Sequence, residues 1–107
     1  MVMKPNPFAE LETRDEIINR LTDHFLHLTG LERAEFFTGR TEPVFRARAS
    51  MMWIMRKKLD MPFTAIGNVF GKDHTTIISA CHRIDMLRGQ SPRLRTIINE
   101  IIEKQGL

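Results

Sequence analysis

Residues 62–88 read PFTAIGNVFGKDHTTIISACHRIDMLR, and this stretch decides how the rest of the chain is arranged. Two apolar-periodic segments of helical length, Pro62 to Phe70 and Thr75 to Leu87, flank the short polar break Gly71-Lys72-Asp73. That is the layout of a helix-turn-helix, in which a first helix braces a second across a tight turn that often holds a glycine. Gly71 suits the left-handed position that ends many helices. Asp73 suits the N-cap of the next, where its carboxylate accepts from backbone N–H groups of the first turn. On the second helix Ile77, Ile78, Cys81, Ile84 and Leu87 recur at helical spacing and are expected to face inward.

The other side of that helix carries Thr75, Thr76, Ser79, His82 and Arg83. Compact hydrogen-bonding groups without negative charge are what a recognition helix offers to base edges in the major groove, whereas a plain solvated face carries more Glu and Lys. The competing explanation is an ordinary corner between two helices, with Asp73 and the two threonines serving only as caps.

Charge is divided unevenly around this motif. Residues 1–43 hold five Lys or Arg against eight Asp or Glu, while residues 44–107 hold eleven against five. The basic part contains the helix-turn-helix, as a polyanion-binding face requires, since affinity for duplex DNA rests largely on neutralising phosphates and releasing counterions. Solvated basic surface is the alternative. Lys72, Arg56, Lys57, Lys58, Arg83 and Arg88 form the group of phosphate candidates. Thr64, at the start of the bracing helix, would help the exposed N–H groups there to hold a phosphate.

A chain of 107 residues with 42% hydrophobic and 27% charged content is expected to make one globular domain, small for an enzyme with a buried cleft. Seven Met and seven Phe with no Tyr point to a core of flexible and aromatic filling. No apolar run reaches membrane-spanning length, no secretory signal is recognisable, and the single cysteine, Cys81, has no partner within the chain. These features lead to a cytoplasmic, nucleoid-associated expectation.

Residues 1–12, with Pro5 and Pro7 and no clear period, read as a flexible leader to a helical DNA-binding domain over 13–107. Thr13 and Glu16 fit a capping box, followed by the stripe Ile17, Ile18, Leu21, Phe25 and Leu28, with Gly30 as the stop. A brief helix around Phe36 and Phe37 is expected next, then a loop over Gly39-Arg40-Thr41-Glu42-Pro43. From Val44 to Leu59 the pattern Val44, Ala47, Met51, Met52, Met55, Leu59, widened by Ala49, Trp53 and Ile54, marks a long central strut. Ser91-Pro92 opens a last helix through Leu94, Ile97, Ile98, Ile101 and Ile102. The fold class is all α, a compact bundle of five or six helices.

The runs Ile66-Gly67, Phe70-Gly71-Lys72-Asp73-His74-Thr75-Thr76-Ile77, Ala80-Cys81 and Ile84, with Arg46-Ala47-Arg48 upstream, resemble the signature of a known family. It is the C-terminal DNA-binding domain, domain IV, of the bacterial chromosomal replication initiator DnaA. The resemblance covers about residues 31 to 100. It implies a helical bundle of the Trp-repressor-like kind that binds short asymmetric boxes on double-stranded DNA at replication origins and some promoters. By the same resemblance Asp73, His74, Thr75 and Thr76 contact bases in the major groove, and Arg46 enters the minor groove beside it. Arg48 then contacts phosphate, and Lys72, Thr64, Arg56, Lys57, Ser79 and Arg83, taken from charge and position, complete the expected phosphate contacts. Two departures stand out. Ala47 replaces the family's proline, and Gly71-Lys72-Asp73 is one residue shorter than the family's Gly-Gly-Arg-Asp, a change expected to tilt the recognition helix.

Rival classes are thinner. His24 with His27, and His74 with Cys81 and His82, tempt a metal or nucleophile reading, but there is no HExxH or paired CxxC spacing. No catalytic residue, metal or cofactor is expected, and no G-x-x-x-x-G-K-[ST] loop for nucleotide phosphates occurs. The function read from the sequence is sequence-specific binding of double-stranded DNA in replication initiation or transcription regulation, without ATPase activity. The alternative is a protein-interaction module that regulates the replication initiator, its acidic first third facing a protein partner. A monomer or weak dimer is expected, the last helix packing on the bundle, with a dimer through its apolar stripe as the alternative.

Overall fold

A computed structural model describes residues 6–107, so the part of the expected leader that falls on residues 1–5 lies outside the described residues. Pro7–Glu10 make one 3-10 turn, which Asn6 caps by accepting from Phe8 N at 3.0 Å. Among the described residues the remaining elements are all α-helices. In chain order these are α1 (Arg14–Thr29), α2 (Arg33–Thr38), α3 (Glu42–Lys58), α4 (Phe63–Phe70), α5 (His74–Gln90) and α6 (Pro92–Lys104).

The strut is α3, and it packs against every other helix. Its residues from Arg48 to Met55 are all buried, so this middle stretch is covered on all sides by the other helices. The aromatic rings stitch the other elements over it. Phe25 of α1 lies 5.8 Å from Phe36 of α2, and Phe37 lies 5.3 Å from Phe70 of α4, centroid to centroid. Offset and tilted rings at such spacings add attraction beyond the area they bury.

Helix ends follow local chemistry. Thr13 Oγ accepts from Glu16 N at 3.2 Å, and among the described residues only this half of the capping box forms. Gly30 closes α1 in the left-handed region at φ 70°, its N–H donating to Leu26 O at 2.9 Å. Ser91 Oγ accepts from Leu94 N at 3.2 Å, with Pro92 in the first turn of α6. At the joint between α3 and α4, Asp60 takes a left-handed φ of 53° and Met61 turns into the core.

The helix starts differ from expectation at one place that matters. Thr41-Glu42-Pro43, expected in a loop, opens α3, with Thr41 at the N-cap and proline in the first turn. Proline tolerates that turn because its missing N–H would have had no helical partner. At the other end of the motif α5 runs through Gly89 to Gln90, three residues past the expected stop.

Three residues of the expected apolar stripes are outside, Leu28, Ile78 and, in α6, Ile97. Leu28 is mostly exposed, and Ile78 keeps 42% of its surface in water while Ala80 takes the inward place. Successive residues turn by roughly 100° on a helix, which carries Ile78 away from Ile77 toward the Thr75 side. No helix among the described residues is long and apolar enough to cross a membrane.

Candidate nucleic-acid interface

The turn between α4 and α5 depends on two glycines. Gly71 adopts φ 65°, and its N–H and that of Lys72, the latter at 2.9 Å, both return to Gly67 O. Gly67 faces this turn so closely that an added Cβ would overlap Lys72 O and lie 3.7 Å from His74 N. The missing side chain is what lets the turn fold back onto α4 and aim α5 outward.

Asp73 then enters extended backbone at the N-cap, and its carbonyl takes the first bonds of α5, from Thr76 N at 3.1 Å and Ile77 N at 3.3 Å. Its carboxylate makes no capping bond, contrary to expectation. It lies instead 2.8 Å from His74 Nδ1. A carboxylate only accepts, so the tautomer with its proton on Nδ1 suits this contact, and that tautomer leaves Nε2 as an acceptor.

Lys72, Asp73, His74, Thr75 and Thr76 are all exposed, and so are Ser79, His82 and Arg83 farther along α5. Thr75, Ser79, His82 and Met86 recur at three- and four-residue spacing and so line one outer ridge. The inner arc, Ile77, Ala80, Cys81 and Ile84, is buried. Farther along, Trp53 Nε1 donates to Asp85 at 2.7 Å, and the half-buried Arg88 guanidinium stacks 4.2 Å from the Trp53 ring. These contacts pin the second half of α5 to α3 and leave its leading turn projecting.

Arg46 stands beside the middle of α5. Arg83 reaches across to α3, its guanidinium 4.7 Å from the Phe45 ring and its Nη2 donating to Glu42. The same Glu42 oxygen lies 3.3 Å from Arg46 Nε. One carboxylate thus gathers an arginine from each helix, with 56% of the Arg46 side chain exposed. Thr64 is exposed in the first turn of α4, and Lys57 is exposed near the end of α3.

Two expected phosphate contacts are placed differently. Arg48 is only 8% exposed, and its Nη1 donates to Phe36 O at 2.9 Å and Gly39 O at 3.0 Å. Burial lowers its pKa from the usual arginine value. Residues two apart on a helix point roughly 200° apart, so an outward Arg46 turns Arg48 inward, where it ties α2 and its following loop to the strut. Arg56 is half-buried, donating to Met61 O at 3.0 Å and lying 4.2 Å from the Phe63 ring. It braces the α3–α4 joint.

Glu42 and Phe45 were not among the residues singled out from the sequence. The signal was Thr41-Glu42-Pro43, a cap followed by proline; starting the helix there puts Glu42 and Arg46 at i,i+4. The histidine and cysteine candidates do not assemble. No three His, Cys, Asp or Glu side chains converge on a metal-sized space among the described residues. His24 Nδ1 lies 2.6 Å from Gln105 Nε2, and burial, then Lys104 and His27, lower its pKa. Burial and the nearby Asp85 push the Cys81 thiol up to about 11.

The model of a family described as the bacterial dnaA protein helix-turn-helix matches residues 15–84, from α1 well into α5. The chain is 32% identical over 104 residues to the chromosomal replication initiator protein DnaA of Microcystis aeruginosa, covering 96% of this chain and 23% of that protein. It is 35% identical over 66 residues to the protein of that name from Thermodesulfovibrio yellowstonii, covering 61% of this chain and 15% of the relative. Against the one from a Nostoc species it is 32% identical over 102 residues, 89% and 21%. The chain therefore spans about a fifth of the length of these relatives. Since the matched residues include the strut, the bracing helix, the turn and the exposed leading end of α5, the chain belongs to the bacterial DnaA helix-turn-helix family.

Proposed function

We propose that the chain binds double-stranded DNA at DnaA-box-like sites, entering the major groove with the first turn of α5, and acts in replication initiation or transcription regulation without nucleotide hydrolysis of its own. The observation that carries this reading is the exposed, projecting run Lys72–Thr76 at the N-terminal end of a helix whose remainder is held to the bundle. A projecting helix start offers free N–H groups and a positive dipole end to a polyanion. Its side chains are of the kinds that read bases.

In this reading Thr75 and Thr76 hydrogen-bond base edges or lay their methyls against thymine. His74 Nε2 accepts from an adenine or cytosine amino group, and Asp73 from cytosine. Arg46, on the flank of α5, enters the adjacent minor groove, where a narrow A·T-rich groove deepens the negative potential. Lys72, Lys57, Thr64, Ser79 and Arg83 sit on phosphates and set the register. Protein partners are left to the remaining surface, and the working location is the nucleoid.

Duplexes selected from a random pool, titrated by fluorescence anisotropy beside a scrambled control, test the proposal. Replacing His74 or Thr75 by Ala should cost about 1 to 3 kcal/mol on the selected site, roughly 5- to 150-fold, and little on the control. Lys72→Ala should weaken both duplexes alike and reduce the salt slope by about one. Equal losses from all three on every duplex would refute base reading, and no binding at low salt would refute DNA binding altogether.

A further inference from the structure

Among the described residues Glu42 is the one acid that touches two of the proposed DNA contacts at once. Its carboxylate accepts from Arg83 Nη2 and pairs in charge with Arg46, whose Nε lies 3.3 Å away, while the Phe45 ring, 4.7 Å from the Arg83 guanidinium, fixes that guanidinium beside it. Of the acids within residues 62–88, Asp73 pairs with His74 and Asp85 with Trp53. Both arginines and Glu42 remain about half exposed, so the pairs are open to exchange with an incoming anion rather than locked. Glu42 also begins α3, where an acid complements the helix dipole, but that role needs neither arginine.

We infer that Glu42 is a built-in competitor for the DNA phosphates, occupying Arg46 and Arg83 in the free protein and opposing the approach of any duplex until it is displaced. The inference rests on the DNA-binding reading and adds a residue that sets the affinity threshold of that interface. A fixed carboxylate among phosphate-binding groups repels a duplex at close range, and its two guanidinium partners are withheld from counterion release. Duplexes that engage the leading turn of α5 well overcome this opposition, and others do not, so Glu42 keeps binding to arbitrary DNA weak.

The test is Glu42→Gln, which keeps the side chain's size and removes its charge. Its affinity should be measured against the wild type over a salt series, on a pool-selected duplex and on a scrambled one. One additional neutralised phosphate steepens the slope of log affinity against log salt by about 0.9, which is roughly eightfold at 0.1 M salt. Tighter binding of about that size on both duplexes is the expected result. In an Arg46→Gln, Arg83→Gln background the gain should fall below about twofold, because the groups that Glu42 withholds are gone. Unchanged or weaker binding by Glu42→Gln, with the wild type binding normally, overturns the inference and leaves the DNA reading intact. Persistence of the full gain in the double background also overturns it, since a general charge effect would then suffice. Failure of both proteins to bind any duplex at low salt overturns the DNA reading and this inference together.

Discussion

Two glycines lie inside helices, Gly67 in α4 and Gly89 near the end of α5, and alanine should move stability in opposite directions at the two sites. Neither needs a positive φ, so space alone separates them. A Cβ at Gly67 would overlap Lys72 O, a backbone atom of the turn with no flexible side chain to yield. Relief means moving the turn off α4 and stretching the bond from Lys72 N to Gly67 O, now 2.9 Å. Overpacking of this kind costs about 1 to 3 kcal/mol, and the rigid obstacle argues for the upper part of that range. Alanine returns up to about 1 kcal/mol of helix propensity, leaving a net loss of about 1 to 2 kcal/mol. In a domain of this size that lowers Tm by roughly 5 to 15 °C. At Gly89 nothing lies within 4 Å of the added carbon. Only the propensity gain applies there, trimmed to about 0.5 kcal/mol by the helix end, a rise of roughly 2 to 4 °C. Thermal unfolding followed by far-UV circular dichroism reads both. A Gly67→Ala protein melting at or above the wild type would falsify the close-approach argument, and with it the account of how α5 is aimed.

Arg48→Met should cost about 1 to 3 kcal/mol by leaving Phe36 O and Gly39 O without their donor, yet leave the salt slope of DNA binding unchanged; denaturant titration and anisotropy separate the two effects. Cys81, held protonated by burial, should react with a thiol reagent at neutral pH only as fast as the bundle opens, so labelling should accelerate with denaturant in step with unfolding. His24 has a folded pKa below its unfolded value of 6.5, so the unfolded chain takes up the proton more readily. Its contribution to stability is complete above that value and is lost as pH falls through the folded pKa. His24→Gln should therefore flatten the fall in denaturation midpoint on going from about pH 7.5 to 5.5.

Much of this was legible in the sequence because the deciding signals are local. Gly30, Gly71 and Ser91-Pro92 mark helix ends by backbone chemistry that needs no tertiary information, and the widened apolar face of α3 marks it as a strut of the bundle. What was not legible depended on rotation about a helix axis or on contacts distant in the chain. Placing the start of α3 two residues late hid the i,i+4 relation of Glu42 to Arg46, and the link from Glu42 to Arg83 spans 41 positions. Arg48 could have been assigned inward from its two-residue offset to Arg46. The move of the Asp73 carboxylate from cap to histidine partner is a choice between two nearby donors, which residue type alone does not decide.

The position of α3 under every other helix has a consequence for anyone who wishes to redirect this module. The hairpin of α4 and α5 has no floor of its own, since Trp53 and Phe45, which hold α5 through Asp85 and Arg83, belong to the strut. Transplanted alone, it would arrive as two short peptides with an apolar underside open to water. On the proposed reading, new target sequences are better sought by rewriting the few solvent-facing letters at the leading turn, with the chassis kept whole. Conversely, a volume change at a buried strut residue such as Met52 would disturb the floor on which the proposed reading turn rests.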